Sequence, residues 1–300
     1  MVIAMETKKF ILFLKCVEGI GDAAIRKLIN NHCLDNLDIK SVDDVISWIY
    51  KNADYFSSRF NVKVVNKDMI LAAKAKRVSI ISRLTEVNAN YITCLDKDYP
   101  EVFRNMKDFP VVLFYKGDLT LLSNNKVCSI IGTRNPSPKT QEFGKIITDK
   151  MVQKGYVITS GLAAGCDTIA HSSCINAGGK TIAIMGTGID IVSPKSNAAL
   201  AEKIIKTGGL LITEEIPGVE AASYSLVNRD RLEAACAEMV IVLATSVGGG
   251  TMHAAKATKD KYNKILKVVA PSCIPDADAT GNSDLINNYG AISINSVDDL

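Results

Sequence analysis

The stretch Val127-Cys128-Ser129-Ile130-Ile131-Gly132-Thr133-Arg134 decides the fold. Its first five residues carry no charge and no solvent-facing alternation, as a parallel strand covered on both faces requires. Glycine then turns the chain into a helical stretch. The same unit recurs behind Tyr156–Thr159, Thr181–Met185, Leu210–Thr213, Met239–Ala244 and Leu266–Ala270, with roughly 10–15 residues of helical pattern between strands. This alternation predicts an α/β domain over residues 126–300: a Rossmann-like, doubly wound, mostly parallel sheet whose ligand crevice lies beyond the carboxyl ends of the strands.

Upstream the period changes. Phe10, Phe13, Leu14 and Val17 sit at helical spacing, Gly19-Ile20-Gly21 interrupts, and Asp22 is placed to cap a second run through Ile25, Leu28 and Ile29. Ser41 with Asp44 three residues on marks a further helix start, a weaker form of the capping box. Residues 1–80 therefore form a small helical domain. Residues 81–125 are an extended connector punctuated by Tyr99-Pro100, Phe109-Pro110 and Lys116-Gly117-Asp118, ending in a strand at Val111–Tyr115.

A chain of 300 residues, 47% hydrophobic, is long enough for two domains. Its 35 basic and 32 acidic side chains give a formal charge of only +3, so any polyanion site is local. Eight cysteines without a CxxC pair read as reduced thiols of a cytoplasmic protein. The apolar run Phe10–Leu14 is too short to span a membrane and has no cleavage pattern behind it. His171 follows Asp167 by one helical turn, but no third ligand accompanies them, so no metal and no cofactor is expected.

The predicted strand ends are rich in glycine: Gly132-Thr133-Arg134, Ser160-Gly161-Leu162-Ala163-Ala164-Gly165, Gly186-Thr187-Gly188 and Gly248-Gly249-Gly250-Thr251. Such loops expose backbone N–H groups to a phosphate in front of a helix N-terminus. They also serve tight turns for steric reasons alone. Arg134 is placed to grip a phosphate or stack on a base; the other reading is a surface arginine paired with a carboxylate. Arg229 and Arg231 cannot face the same way: in the functional reading one reaches the crevice while the other pairs with Asp230, Glu233 or the chain's own caps, and in the structural reading neither holds a ligand.

Taken together these pieces resemble the DNA-processing protein A family (DprA, also called Smf), from about residue 91 to 291. The resemblance is carried by Asp98-Tyr99-Pro100, Pro110–Gly117, Ile131-Gly132-Thr133-Arg134 with Ser137, and the stretch Ser160-Gly161-Leu162-Ala163-x-Gly165-x-Asp167-x-x-Ala170-His171. Gly179-Lys180-Thr181, Arg229-x-Arg231 and Gly281-Asn282 through Gly290-Ala291 follow in order. The resemblance implies single-stranded DNA binding without turnover chemistry, self-association into dimers, protection of incoming DNA and loading of the RecA recombinase during transformation. By motif position Arg134 and Lys180 would contact DNA phosphates over a backbone bed of Gly132, Ser160 and Gly161. Thr133, Ser137, Arg229, Arg231, Gly249, Gly250 and Thr251 complete the expected phosphate-binding set. Val17–Ile25 is similar to a helix-hairpin-helix, or is part of a plain helical contact domain.

The chain departs from the family pattern in four places. Asp230 stands where asparagine is usual, Ser193-Pro194 replaces Tyr-Pro, the last glycine turn is Val247-Gly248-Gly249-Gly250-Thr251, and Leu300 leaves no room for a winged-helix tail. Two other readings stay open. Gly248-Gly249-Gly250-Thr251 is similar to the turn of nucleoside-monophosphate phosphoribohydrolases, but Ala254 stands where those enzymes have a glutamate. A nucleotide sensor would use the same crevice without cleavage.

Overall fold

The computed structural model describes residues 6–35, 37–56, 60–274 and 279–300. They fall into two compact units, Met1–Tyr99 with Arg104–Leu113, and Pro100–Phe103 with Phe114–Leu300.

The first unit holds α1 (Thr7–Cys16), α2 (Asp22–Asn30), α3 (Val42–Lys51), α4 (Lys67–Glu86) and the short strand β1 (Asn90–Thr93). Phe10 through Leu14 are each no more than 2% exposed, so this stretch of α1 is covered on every side and forms the centre of the unit. Ser41 and Asp44 close a full capping box on α3: Ser41 Oγ accepts the Asp44 N–H at 3.1 Å, and Asp44 Oδ2 accepts the Ser41 N–H at 2.7 Å. Asp22 does not cap α2. Gly21 occupies the N-cap position, and the Asp22 carboxylate instead pairs with Lys15 at 2.8 Å. Helix α4 runs on to Glu86, past residue 80, and β1 lies inside the stretch 81–125 read as an extended connector. The motif residues here are structural: Tyr99 Oη donates to Pro110 O at 2.6 Å, and Arg104 donates to Asp96 O at 3.0 Å.

The chain continues through α5 (Glu101–Arg104), β2 (Val112–Gly117), β3 (Val127–Ile131), α6 (Pro138–Gln153), β4 (Val157–Ser160), α7 (Cys166–Asn176), β5 (Thr181–Ile184), α8 (Ala198–Lys206), β6 (Leu210–Thr213), α9 (Ser223–Cys236), β7 (Met239–Val242), α10 (Thr251–Asp260), β8 (Ile265–Val269), α11 (Thr280–Tyr289) and β9 (Ile292–Ile294). From β2 onward the strands of the second unit lie in the order β2-β6-β5-β4-β3-β7-β8-β9. Strand β2 runs antiparallel to β6, and the pairs from β6 through β9 are parallel.

Every residue of β3, β4, β5, β6 and β7 is buried, which is why their runs show no alternation. Ile147 and Met151 of α6 and Cys166, Ala170 and Cys174 of α7 pack with Cys128, Ile130, Ile158 and Ile241 of the strands. Starting from β3 the sheet grows through β4, β5 and β6 on one side, then returns to add β7, β8 and β9 on the other. The connections therefore diverge between β3 and β7. That divergence leaves a crevice at the carboxyl ends of these two strands, where open α/β sheets bind ligands.

Candidate nucleic-acid interface at the switch point

The crevice is real. A cavity of about 470 Å³ opens beyond β3 and β7, bordered by Gly132-Thr133-Arg134, Thr245-Ser246, Gly249-Gly250-Thr251, Asp167 of α7, and Arg229, Asp230 and Glu233 of α9. Hydrogen bonds fix its walls. Thr133 N–H donates to Ala244 O at 2.7 Å, joining the loops after β3 and β7. Asn282, fully buried, clips the far wall: its Nδ2 donates to Leu243 O and Val269 O at 2.9 and 2.8 Å, and its Oδ1 accepts the Thr245 N–H at 2.8 Å. Gly165, at φ +79°, lets the loop after β4 lie against the loop after β3; a Cβ there would stand 2.4 Å from Thr133 O.

A second cavity of about 220 Å³ adjoins the first, lined by Gly161–Ala164, Gly186-Thr187, Ser193-Pro194 and again Arg134. Arg134 borders both. It is exposed and makes no hydrogen bond or ion pair among the described residues, so the reading as a surface arginine held by a carboxylate is not realised. Lys195, also exposed, follows Pro194 at the edge of the second cavity.

The interior of the larger cavity is acceptor-rich. Arg229 is 7% exposed, and its Nη1 donates to Ile184 O at 3.1 Å. Its Nε lies 3.2 Å from Asp230 Oδ1 and its Nη1 lies 3.0 Å from Glu233 Oε1. Asp167 Oδ2 accepts the Ala163 N–H at 3.1 Å. Burial pushes the Asp230 carboxyl up to about 6, against the pull of the Arg229 charge. Burial raises Glu233 and Asp167 in the same way, again opposed by Arg229. Three carboxylates thus share one guanidinium.

Several residues expected to hold phosphate have protein partners. Arg229 faces the crevice but is neutralised by Asp230 and Glu233, and Arg231 is bonded to Glu214. Gly161 is small because the Arg229 guanidinium lies over it; a Cβ would come 1.3 Å from Nη1. Gly132 makes room for Cys166 Sγ. Ser160 is buried and donates from Oγ to Ile130 O at 2.7 Å, and Ser137 caps α6 by accepting the Thr140 N–H at 3.2 Å. His171 packs on the sheet, its Nδ1 2.7 Å from Thr181 Oγ1, and burial drives its pKa down to about 3.

Lys180 is separated from Arg134. It precedes β5, at the amino edge of the sheet, and bonds Thr207 O. Arg134 follows β3 at the carboxyl edge, and β3, β4 and β5 are parallel. The two cations are a strand length apart, on the order of 15 Å. Thr133, Gly249, Gly250 and Thr251 do border the cavity, and α10 begins there without a side-chain cap.

Two further features complete the site. The carboxylates Asp230 and Glu233 lie one turn apart on α9, a spacing that puts both on one face. Lys195 comes after the carboxyl end of β5, on the crevice side of the sheet.

A profile of the family described as DNA recombination-mediator protein A matches residues 90–300, the β1-to-β9 part of the chain that builds this crevice. The chain belongs to the DNA recombination-mediator protein A family. The DNA processing protein DprA of Bacillus subtilis is 31% identical over 248 residues, covering 80% of this chain and 82% of that protein. The DprA of Streptococcus pneumoniae is 34% identical over 69% of this chain and 71% of its own length. The X-ray structure of the Streptococcus pneumoniae protein superposes with a TM-score of 0.76 at 25% identity, covering 99% of this chain and 97% of that one. A Helicobacter pylori DNA processing protein A, described for its single-stranded DNA binding mode, superposes with a TM-score of 0.62 at 28% identity over 70% of this chain and 93% of its own.

In this recombination-mediator chain the stretch Ser160–His171 is divided: Ser160, Gly165 and His171 pack against protein, while Gly161–Ala164 and Asp167 border the two cavities. Among the described residues no helix is long and apolar enough to cross a membrane, and no cluster of acidic, histidine and cysteine side chains could hold a metal ion.

Proposed function

We propose that the chain binds single-stranded DNA in DNA processing, with the phosphate backbone running along the outer rim from Arg134 past Ser193-Pro194 to Lys195. The observation that carries this reading is Arg134, an exposed and unpaired guanidinium shared by two adjoining cavities. Lys195 adds a second free charge beside the smaller cavity. The strand stays outside the larger cavity, because a phosphate beside Asp230 and Glu233 would meet like charge. The single-stranded DNA described for the Helicobacter pylori relative supports the choice of ligand. Protection of incoming DNA, loading of RecA, pairing with a second copy of the chain and a cytoplasmic location go with the same reading.

In this reading the chain acts by binding and not by turnover; Ala254, at the cavity border, stands where the phosphoribohydrolase turn is followed by a glutamate. The test is fluorescence anisotropy with labelled oligo-dT over a range of salt concentrations. Each phosphate neutralised contributes about −0.7 to the slope of log affinity against log salt. Arg134→Ala and Lys195→Ala are each expected to make the slope shallower by about that amount, whereas Lys180→Ala leaves it unchanged. Wild-type slopes in both rim variants, or release of free base from added AMP, would overturn the reading.

A further inference from the structure

The interior of the larger cavity has a chemistry that a DNA backbone cannot use. Asp230 and Glu233 project into it from one face of α9, 9% and 2% exposed. Glu233 Oε1 is 3.0 Å from Arg229 Nη1, yet it accepts no hydrogen bond among the described residues. A buried acceptor left in that state is costly unless an N–H or O–H donor reaches its carboxyl, and Glu233 and Asp230 both border the cavity.

The other side of the cavity has the opposite character. Arg134 is unpaired at its mouth among the described residues, and α10 opens onto it at Thr251 without a side-chain cap; the Met252 and His253 N–H groups donate to Gly249 O and Gly250 O, so what this end offers the space is the positive end of the helix dipole. A volume of about 470 Å³ lies in the range of small-molecule sites. A ligand that fits must be anionic at one end and rich in hydrogen-bond donors at the other.

We propose that this cavity binds a free nucleoside 5′-monophosphate, its phosphate on Arg134 and the start of α10, and the N–H and O–H donors of its base and ribose on Glu233 and Asp230. Its position at the divergence of β3 and β7 is where this sheet topology holds nucleotides. The site shares Arg134 with the DNA rim and is otherwise separate from it. The last nucleotide of a DNA strand would offer similar chemistry, and the test separates the two sources.

The experiment is calorimetric titration of the full chain with AMP, dAMP, dTMP and inorganic phosphate, alongside oligo-dT. AMP is expected to bind at least tenfold more tightly than inorganic phosphate. Glu233→Gln should weaken AMP tenfold or more without weakening oligo-dT or making its salt slope shallower, and Arg134→Ala should weaken both ligands. No AMP binding at millimolar concentration, or AMP binding unaltered by Glu233→Gln, would sink the proposal. So would equal losses of AMP and oligo-dT in a Glu233→Gln protein with a normal melting profile, which would assign the cavity to a strand terminus. Hydrogen exchange on the wild-type protein gives a second measurement should the variant fail to fold. AMP should protect the first turn of α10 and the segment around Glu233, and an unprotected α9 and α10 refutes the site.

Discussion

Arg229→Met separates a buried structural arginine from a DNA-binding one. Methionine keeps most of the stem's volume but removes the guanidinium that bonds Ile184 O and faces Asp230 and Glu233. Asp167, Asp230 and Glu233 would then share a buried space with no cation. Removing one partner of a buried ion pair costs about 3–5 kcal/mol.

The loss has a pH signature. In the wild type, burial already raises Asp230 from 3.8 to about 6, with Arg229 holding the rise back. A carboxyl with a raised folded pKa binds more protons folded than unfolded between those two values. It therefore lowers stability at pH above about 6, and the penalty is progressively relieved as pH falls toward 3.8. Without Arg229 the window extends to higher pH. At pH 8 the variant should lose about 3–5 kcal/mol, and the deficit should shrink by up to about 1.4 kcal/mol per carboxyl for each pH unit below the shifted pKa.

Urea unfolding followed by far-UV circular dichroism from pH 8 to 5.5 measures this directly. The single tryptophan, Trp48, lies in the first unit, so its fluorescence separates that unit's transition from the second unit's. A variant as stable as wild type at pH 8, or a deficit independent of pH, would refute the reasoning. A stable Arg229→Met with a shallower oligo-dT salt slope would return Arg229 to the DNA.

Two other perturbations follow from the same geometry. Asn282→Ala strands the Thr245 N–H and the Leu243 and Val269 carbonyls; at about 1–3 kcal/mol per buried unsatisfied group, partly relieved by water, a loss of about 2–4 kcal/mol in chemical denaturation is expected. Oligo-dT affinity should rise severalfold between pH 7.5 and 5.5 at constant salt, because Asp230 takes up a proton near 6 and anionic charge beside the rim falls. The groups around Asp230 are Arg229 and Glu233 on its own helix, Asp167 on α7 and His253 on α10. Asp230→Asn should remove much of that pH dependence; a wild-type profile in Asp230→Asn would count against the carboxyl.

The sheet was legible because five of its strands are covered on both faces, and burial of that kind writes an uninterrupted apolar run. Strands β1 and β9 were not, since Asn90–Thr93 and Ile292–Ile294 are short and partly exposed. The site was harder to read. A glycine after a strand looks the same in sequence whether it frees an N–H for a phosphate or makes room for a neighbour. Gly132 and Gly161 make room, for Cys166 and for Arg229, and nothing local announces either partner. Lys180 illustrates a different limit: a motif supplies a residue's position in the text, whereas its side of the sheet follows from strand direction. A residue directly before Thr181 belongs at the amino edge, and one after Pro194 belongs at the crevice.

This division of cations has a consequence for affinity. With Arg229 tied to carboxylates, Arg231 to Glu214 and Lys180 at the opposite edge, Arg134 and Lys195 are the charges assigned to the strand. Two neutralised phosphates give a salt slope of only about −1.4 for one copy of the chain, too few contacts for tight capture by electrostatics alone. Two linked copies on one strand would double the contacts, and the second would act at a raised effective concentration. The formal charge of +3 and the acidic interior are then compatible with strong binding, because affinity would come from repetition of a sparse rim along the DNA and not from the charge of a single chain. If copies do pair as proposed, self-association and DNA binding would be one property, and the salt slope would count the copies that share a strand.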